Sequence, residues 1–308
     1  MNRLGFAALS LALFASCSSA PPPRPVPAAV GQAEHAAATA AKLSTSENWS
    51  AAAREWQRAV ERYRLLNDRT GEAIALHNLA QAKRELGNLA AAHDLLEQAA
   101  TINQELGRGD EWWRNQIALL QIESQAGQSP ALDARFEKLI ASPPPQNQPE
   151  LQGLFLNEQG LWRQDRGDFA KADEAFRAAE SAFQKAGSRA GLAAVLANRA
   201  RLDAAQNRHA TALEKWARAL AMFESLAGVR GVAAAQAGQG RTLLAAGQNL
   251  PLAESLLRRA SDNYRTLKAR ADLTASLASL EACLIAQNKT AEAAHVAAER
   301  QALSQPAK

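Results

Sequence analysis

A chain of 308 residues exceeds one ordinary globular domain but fits a single repeat array. Apolar residues make up 47% of it and aromatic rings only 5%, with long alanine runs, a composition that favours closely packed helices over a β-rich core. The 35 Lys and Arg and the 31 Asp and Glu are interspersed, so the formal charge of +4 forms no basic stripe and nucleic acid is not an expected partner.

Met1-Asn2-Arg3 supplies a positive start, Leu4 to Phe14 is an apolar run too short to span a bilayer, and Ala15-Ser16-Cys17 follows. This pattern resembles a bacterial lipoprotein signal peptide, with Phe14 standing where that family's box prefers Leu. The resemblance implies that residues 1–16 are removed and that Cys17 is lipidated. The chain would then be exported and anchored to the cell envelope, at the outer membrane facing the periplasm. Residues 17–31, rich in proline from Pro21 to Pro27, read as a tether. Cys283 is the one other cysteine, on an apolar helical stretch, where a buried structural thiol is expected.

From residue 32 to 305 the chain repeats. Glu47, Gly87, Gly127, Gly167, Asn207, Gly247 and Asn288 recur every 40 residues, with 41 in the last step, and mark the turn inside each of seven helical hairpins. Gly and Asn suit that column because a left-handed residue closes the first helix. Five residues on stand Ala52, Ala92, Leu132, Ala172, Ala212, Ala253 and Ala293, the sixth after a one-residue insertion. Nine beyond the turn come Trp56, Leu96, Phe136, Phe176, Trp216 and Leu257, and three further Ala59, Ala99, Leu139, Ala179, Ala219 and Ala260. Large and small residues thus alternate on one face of each second helix and predict burial between neighbouring hairpins.

The run Gly167-Asp168-Phe169-Ala170-Lys171-Ala172-Asp173-Glu174-Ala175-Phe176-Arg177-Ala178-Ala179 resembles the tetratricopeptide (TPR) signature, Gly-x-Tyr-x-x-Ala-x-x-x-Phe-x-x-Ala. The common repeat of that family has 34 residues. The longer period here, and linkers such as Leu66 to Glu72 and Leu226 to Gly231, resemble the longer repeats of kinesin light chains and mitotic-spindle adaptors. The fold implied is an all-α, right-handed α-solenoid of about seven hairpins, with the first helix of each lining a concave wall.

Two units depart from the pattern. The third has a shortened second helix followed by Ala141-Ser142-Pro143-Pro144-Pro145-Gln146-Asn147-Gln148-Pro149, which cannot continue a helix. The segment 141–150 reads as a bend between sub-arrays, a docking loop or a plain surface connection. In the seventh unit Arg300 replaces a small apolar residue, as suits a terminal cap. Trp112 and Trp113 are adjacent, so one of them is expected outside the core.

The resemblance places the candidate partner-binding groove on His77, Asn78, Gln81, Arg84, Arg114, Gln121, Gln125, Asn157, Leu161, Gln164, Asn198, Arg201 and Arg241. In the longer-repeat relatives an asparagine ladder pairs with the backbone of an extended peptide. Asn78 and Asn198 match its column, whereas Gly238 and Ser276 depart from it. Amides can donate and accept together, and arginines add charge-assisted bonds to acidic side chains.

Histidines 35, 77, 93, 209 and 295 show no metal-ligand spacing, and Ala235 to Thr242 lacks the first Gly and the Lys of a phosphate loop. No metal, cofactor or catalytic constellation is therefore expected, and the chain reads as a non-enzyme. The leading functional expectation is a membrane-anchored scaffold or adaptor binding another protein or an extended peptide. The alternative is a peptide-binding regulatory or sensor subunit.

Overall fold

The computed structural model describes residues 28–304, all of it helices and short links. The first hairpin is α1 (Ala28–Thr45) and α2 (Trp49–Leu65), the second α3 (Arg69–Glu85) and α4 (Leu89–Glu105), the third α5 (Gly109–Ala126) and α6 (Pro130–Ala141). Next come α7 (Pro149–Asp165) with α8 (Phe169–Ala186), and α9 (Arg189–Ala205) with α10 (His209–Ser225). The array ends with α11 (Val229–Ala245) paired to α12 (Leu250–Thr266), and α13 (Arg270–Ala286) paired to α14 (Thr290–Ser304). These seven hairpins form the all-α, right-handed, TPR-like solenoid that the repeat implied.

Most helices hold 17 residues and most links hold three. The pattern therefore repeats every half hairpin, and the link chemistry explains it. After α2, for example, Leu66 ends the helix, Asn67 turns left-handed at φ +53°, and Asp68 caps the next helix by accepting a bond from the Gly71 amide at 2.9 Å. The Asp68 amide bonds back to the Tyr63 carbonyl at 2.9 Å, so the last carbonyls of α2 and the first amides of α3 are satisfied by the same three residues. Every residue of the expected turn column has positive φ, including Glu47 at +56°. A second column midway, Asn67, Gly107, Gly187, Ala227 and Lys268, does the same between hairpins. Asn147 falls in that column by number, but there Ser142 to Gln148 replaces the tight link and α6 stops after 12 residues, because Pro143, Pro144 and Pro145 offer no amide to the helix.

The large and small columns are buried throughout. Phe136, Phe176 and Leu257 are inaccessible to water, as are Ala52, Ala92, Ala172, Ala212 and Ala253. Glycines on the first helices take part in this packing. A Cβ on Gly191 would lie 2.3 Å from Phe183, one on Gly231 2.3 Å from Phe223, and one on Gly71 2.4 Å from Tyr63. In each case an aromatic ring near the end of a second helix lies flat on a glycine eight residues later, in the first turn of the next helix. Gly160 receives Phe176 and Gly238 receives Trp216 in the same way.

Across the 142–148 segment the core is continuous: Trp113, Ile117 and Leu120 of α5, Phe136 of α6 and Phe155 and Trp162 of α7 form one cluster, with Phe136 stacked on Trp162 at 4.7 Å. Trp113 is in that core, while Trp112 is partly exposed and meets it edge-on at 5.3 Å. Cys283 is fully buried, and burial pushes its thiol pKa up.

The superhelix curves until its ends approach. Arg230 of α11 donates to Glu85 of α3 at 3.4 Å and to Asp272 of α13 at 3.3 Å. The turns after α1 and α3 thereby face the link between α12 and α13 across a cavity of about 1700 Å³.

Candidate partner-binding groove

The first helices make the inner wall. α5, α7, α9 and α11 each touch the next first helix more extensively than any two second helices touch, as expected when the first helices lie on the shorter, concave side of a curved stack. Residues 40 apart on these helices share a register, so side chains from successive units line up along the wall.

Two hydrogen-bonded chains run across them. Arg84 of α3 donates to Gln121 of α5 at 2.9 Å, and Gln121 donates to Glu158 of α7 at 3.0 Å. One unit further, Arg201 donates to Asn198 on α9 at 3.0 Å, and Asn198 donates to Asn157 of α7 at 2.8 Å. His77 accepts from Asn115 at 2.9 Å if its Nδ1 is unprotonated, and Asn115 accepts from buried Asn103 at 2.8 Å. Burial lowers the His77 pKa, and Arg114 and Arg84 lower it further, so the ring is held neutral. Its Nδ1 then serves as the acceptor.

The remaining candidates are placed differently. Asn78 bonds to the Ile74 carbonyl of its own helix at 2.8 Å. Gln81, Arg114 and Arg241 are exposed and make no hydrogen bond to a described residue, and Gln125 is exposed on the rim of the cavity between the two ends. Gln164 is half-buried, with its side-chain oxygen buried and unpaired. Cys17 lies outside the described residues.

Glu158 was not among the residues singled out from sequence, yet its carboxylate is buried in this wall, at 8% exposure, with no cation of the described residues bonded to it. Burial raises its pKa although Gln121, Asn157, Arg84 and Arg201 all favour the charged form. Its position was legible: it stands 80 residues after Asn78 and 40 before Asn198, in the same column. Arg201 and Arg241 are exposed on the wall, and partial desolvation by the surrounding protein lowers both guanidinium pKa values.

No protein-family model matches the chain, and none of the curated proteins matches it. The fold is similar to solved structures. A Rap protein complexed with Competence and Sporulation Factor matches with a TM-score of 0.73 at 11% identity, over 90% of this chain and 76% of that one. The apo form of the quorum sensor NprR from B. thuringiensis gives 0.67 at 10% identity, covering 90% and 77%. Aspartyl phosphate phosphatase F from Bacillus subtilis gives 0.70 at 13% identity, covering 90% and 71%. At these identities the likeness is one of fold.

These findings correct the expected location. The signal peptide of 1–16, lipidated Cys17 and most of the tether lie outside the described residues, while Ala28 to Gly31 of the expected tether belong to α1, where alanine favours helix. Among the described residues no helix is long and apolar enough to cross a membrane, and the similar structures are described as a Rap protein, a quorum sensor and a phosphatase, not as envelope lipoproteins. The exported, lipid-anchored, periplasm-facing reading is therefore withdrawn, and with it the membrane as a partner. Its physical basis is a short apolar leader, a pattern independent of how residues 28–304 pack.

Proposed function

We propose that this chain is a regulatory or sensor subunit whose concave wall captures a flexible segment of another protein or a peptide. The observation that carries the reading is the pair of hydrogen-bonded rows of amide and guanidinium groups on that wall, one from α3 to Glu158 of α7 and one from α7 to α9. Such groups present donors and acceptors together at the register of successive units, which matches an extended backbone. Two proteins of similar fold support it, one a quorum sensor and one complexed with a factor. In this reading the wall binds and catalyses nothing, since amides and guanidinium groups recognise polar chains but supply no nucleophile.

The test is site-specific photocrosslinking in cells. A crosslinker at Gln81 or Leu161 on the inner wall should capture one recurrent partner, and the same group at Arg177 on the outer face of α8 should not. Equal capture from both faces, or capture from neither, would overturn the reading.

A further inference from the structure

We propose that Arg201 and Arg241 form a paired anion anchor that holds two acidic side chains at alternate positions of an extended segment. The inference rests on the partner-binding reading above and adds the chemistry of the partner.

The two arginines occupy the same register, 40 residues apart, on α9 and α11, which touch. Neither forms an ion pair. Arg201 reaches only the neutral amide of Asn198, and Arg241 makes no hydrogen bond to a described residue. Two half-buried arginines elsewhere are matched: Arg135 bonds Glu97 and Glu123, and Arg199 bonds Glu180 and Asp173. An unmatched arginine on the outer surface is solvated without penalty. Two that share a register on neighbouring helices, repel each other and have no carboxylate partner leave an unmet demand for negative charge on one face of the groove.

The nearby carboxylates do not meet it. Asp272 is held by Arg230, and Glu158 accepts from Gln121 with burial opposing its charge. Asp165 and Glu158 act on Arg201 only through space, as Asp272 does on Arg241.

Spacing selects the ligand. Packed helices lie roughly 8–10 Å apart, and side chains on one side of an extended chain recur every ~6.6 Å. Flexible arginine side chains close that difference, so acidic residues at positions i and i+2 each meet one guanidinium. The amides of Asn157 and Asn198, next along the wall, are placed to pair with the backbone that follows.

The experiment is selection of a random, unstructured peptide display library on the full chain, in parallel with the Arg201→Gln/Arg241→Gln variant. Enrichment of Asp or Glu at i and i+2 on the unmodified chain, absent on the variant, supports the anchor. The selected peptide should lose at least about tenfold in affinity for each arginine replaced, and its binding should weaken with added salt. The Arg201→Lys/Arg241→Lys variant, checked for helix content by circular dichroism, should keep part of the acidic preference and guards against a folding defect. Peptides enriched without acidic bias would overturn the anchor and leave the partner-binding reading standing. No enrichment would overturn both, and tighter binding of a single-stranded oligonucleotide than of any selected peptide would replace the peptide with a polyanion.

Discussion

Replacing Gly191 with alanine adds one methyl group in a helix, which in open space would stabilise by about 1 kcal/mol. Here the new carbon would lie 2.3, 2.5 and 2.6 Å from three atoms of the Phe183 ring. That ring cannot swing aside, because on its other side it rests on Gly153, whose own added carbon would lie 2.6 Å from it. Overpacking of this kind costs roughly 1–3 kcal/mol, and with contacts this short the upper end applies. The net loss is then about 2 kcal/mol, on the order of 4 °C in melting temperature. Gly31 is the control, since a Cβ there meets nothing within 4 Å and Gly31→Ala should stabilise. Urea titrations followed by far-ultraviolet circular dichroism would measure both. Shrinking the ring with Phe183→Leu should relieve the Gly191→Ala defect, giving a coupling of about 1 kcal/mol or more in a double-mutant cycle. If Gly191→Ala stabilises as Gly31→Ala does, or the two changes at 183 and 191 simply add, the ring-on-glycine reasoning is refuted.

Ala227 and Lys268 hold left-handed backbones at φ +52° and +53°, so Ala227→Gly and Lys268→Gly should each stabilise by about 0.5–1 kcal/mol, where glycine in a regular helix would destabilise. Burial raises the Glu158 pKa, so its favourable contribution is complete below the ordinary glutamate value and is lost as pH rises through the raised one. Glu158→Gln should therefore raise the melting temperature near pH 7.5 and give no gain near pH 4; an equal gain at both would contradict it. Trp216→Ala removes a buried ring that fills the space over Gly238 and should cost about 3–5 kcal/mol in the same titrations. Arg230→Ala should broaden the distance distribution between spin labels at Leu86 and Thr266, as should added salt on the unmodified chain; an unchanged distribution would show that the ionic contact does not hold the ends together.

How far the fold was legible depended on what repeats carry. The 40-residue period stood out because Trp56, Phe136, Phe176 and Trp216 recur against alanines at fixed offsets, and packing demands both. The half period was obscured, since the links between hairpins use Ala227 and Lys268 where chemistry prefers glycine or asparagine, and tertiary packing overrides that preference. The glycines at 71, 191 and 231 were equally quiet: a glycine in a helix reads as a weak point until the ring resting on it is seen. On the inner wall, the ladder column led to Asn78 and Asn198 but not to Glu158, because a lone glutamate in a helix usually reads as a solvated charge. Only the enclosure by α5 and α9 shows it buried. The curvature that brings Arg230 to Glu85, 145 residues away, accumulates from small rotations at each link and leaves no mark at any single position.

A stack bent until α3 meets α11 behaves as a collar. In the proposed reading, a flexible segment would enter such a ring more readily than a folded domain, which would need the Arg230 contacts to part. If the proposed acidic segment binds there, ionic strength would act twice, loosening the Arg230 contacts while weakening the hold on the segment.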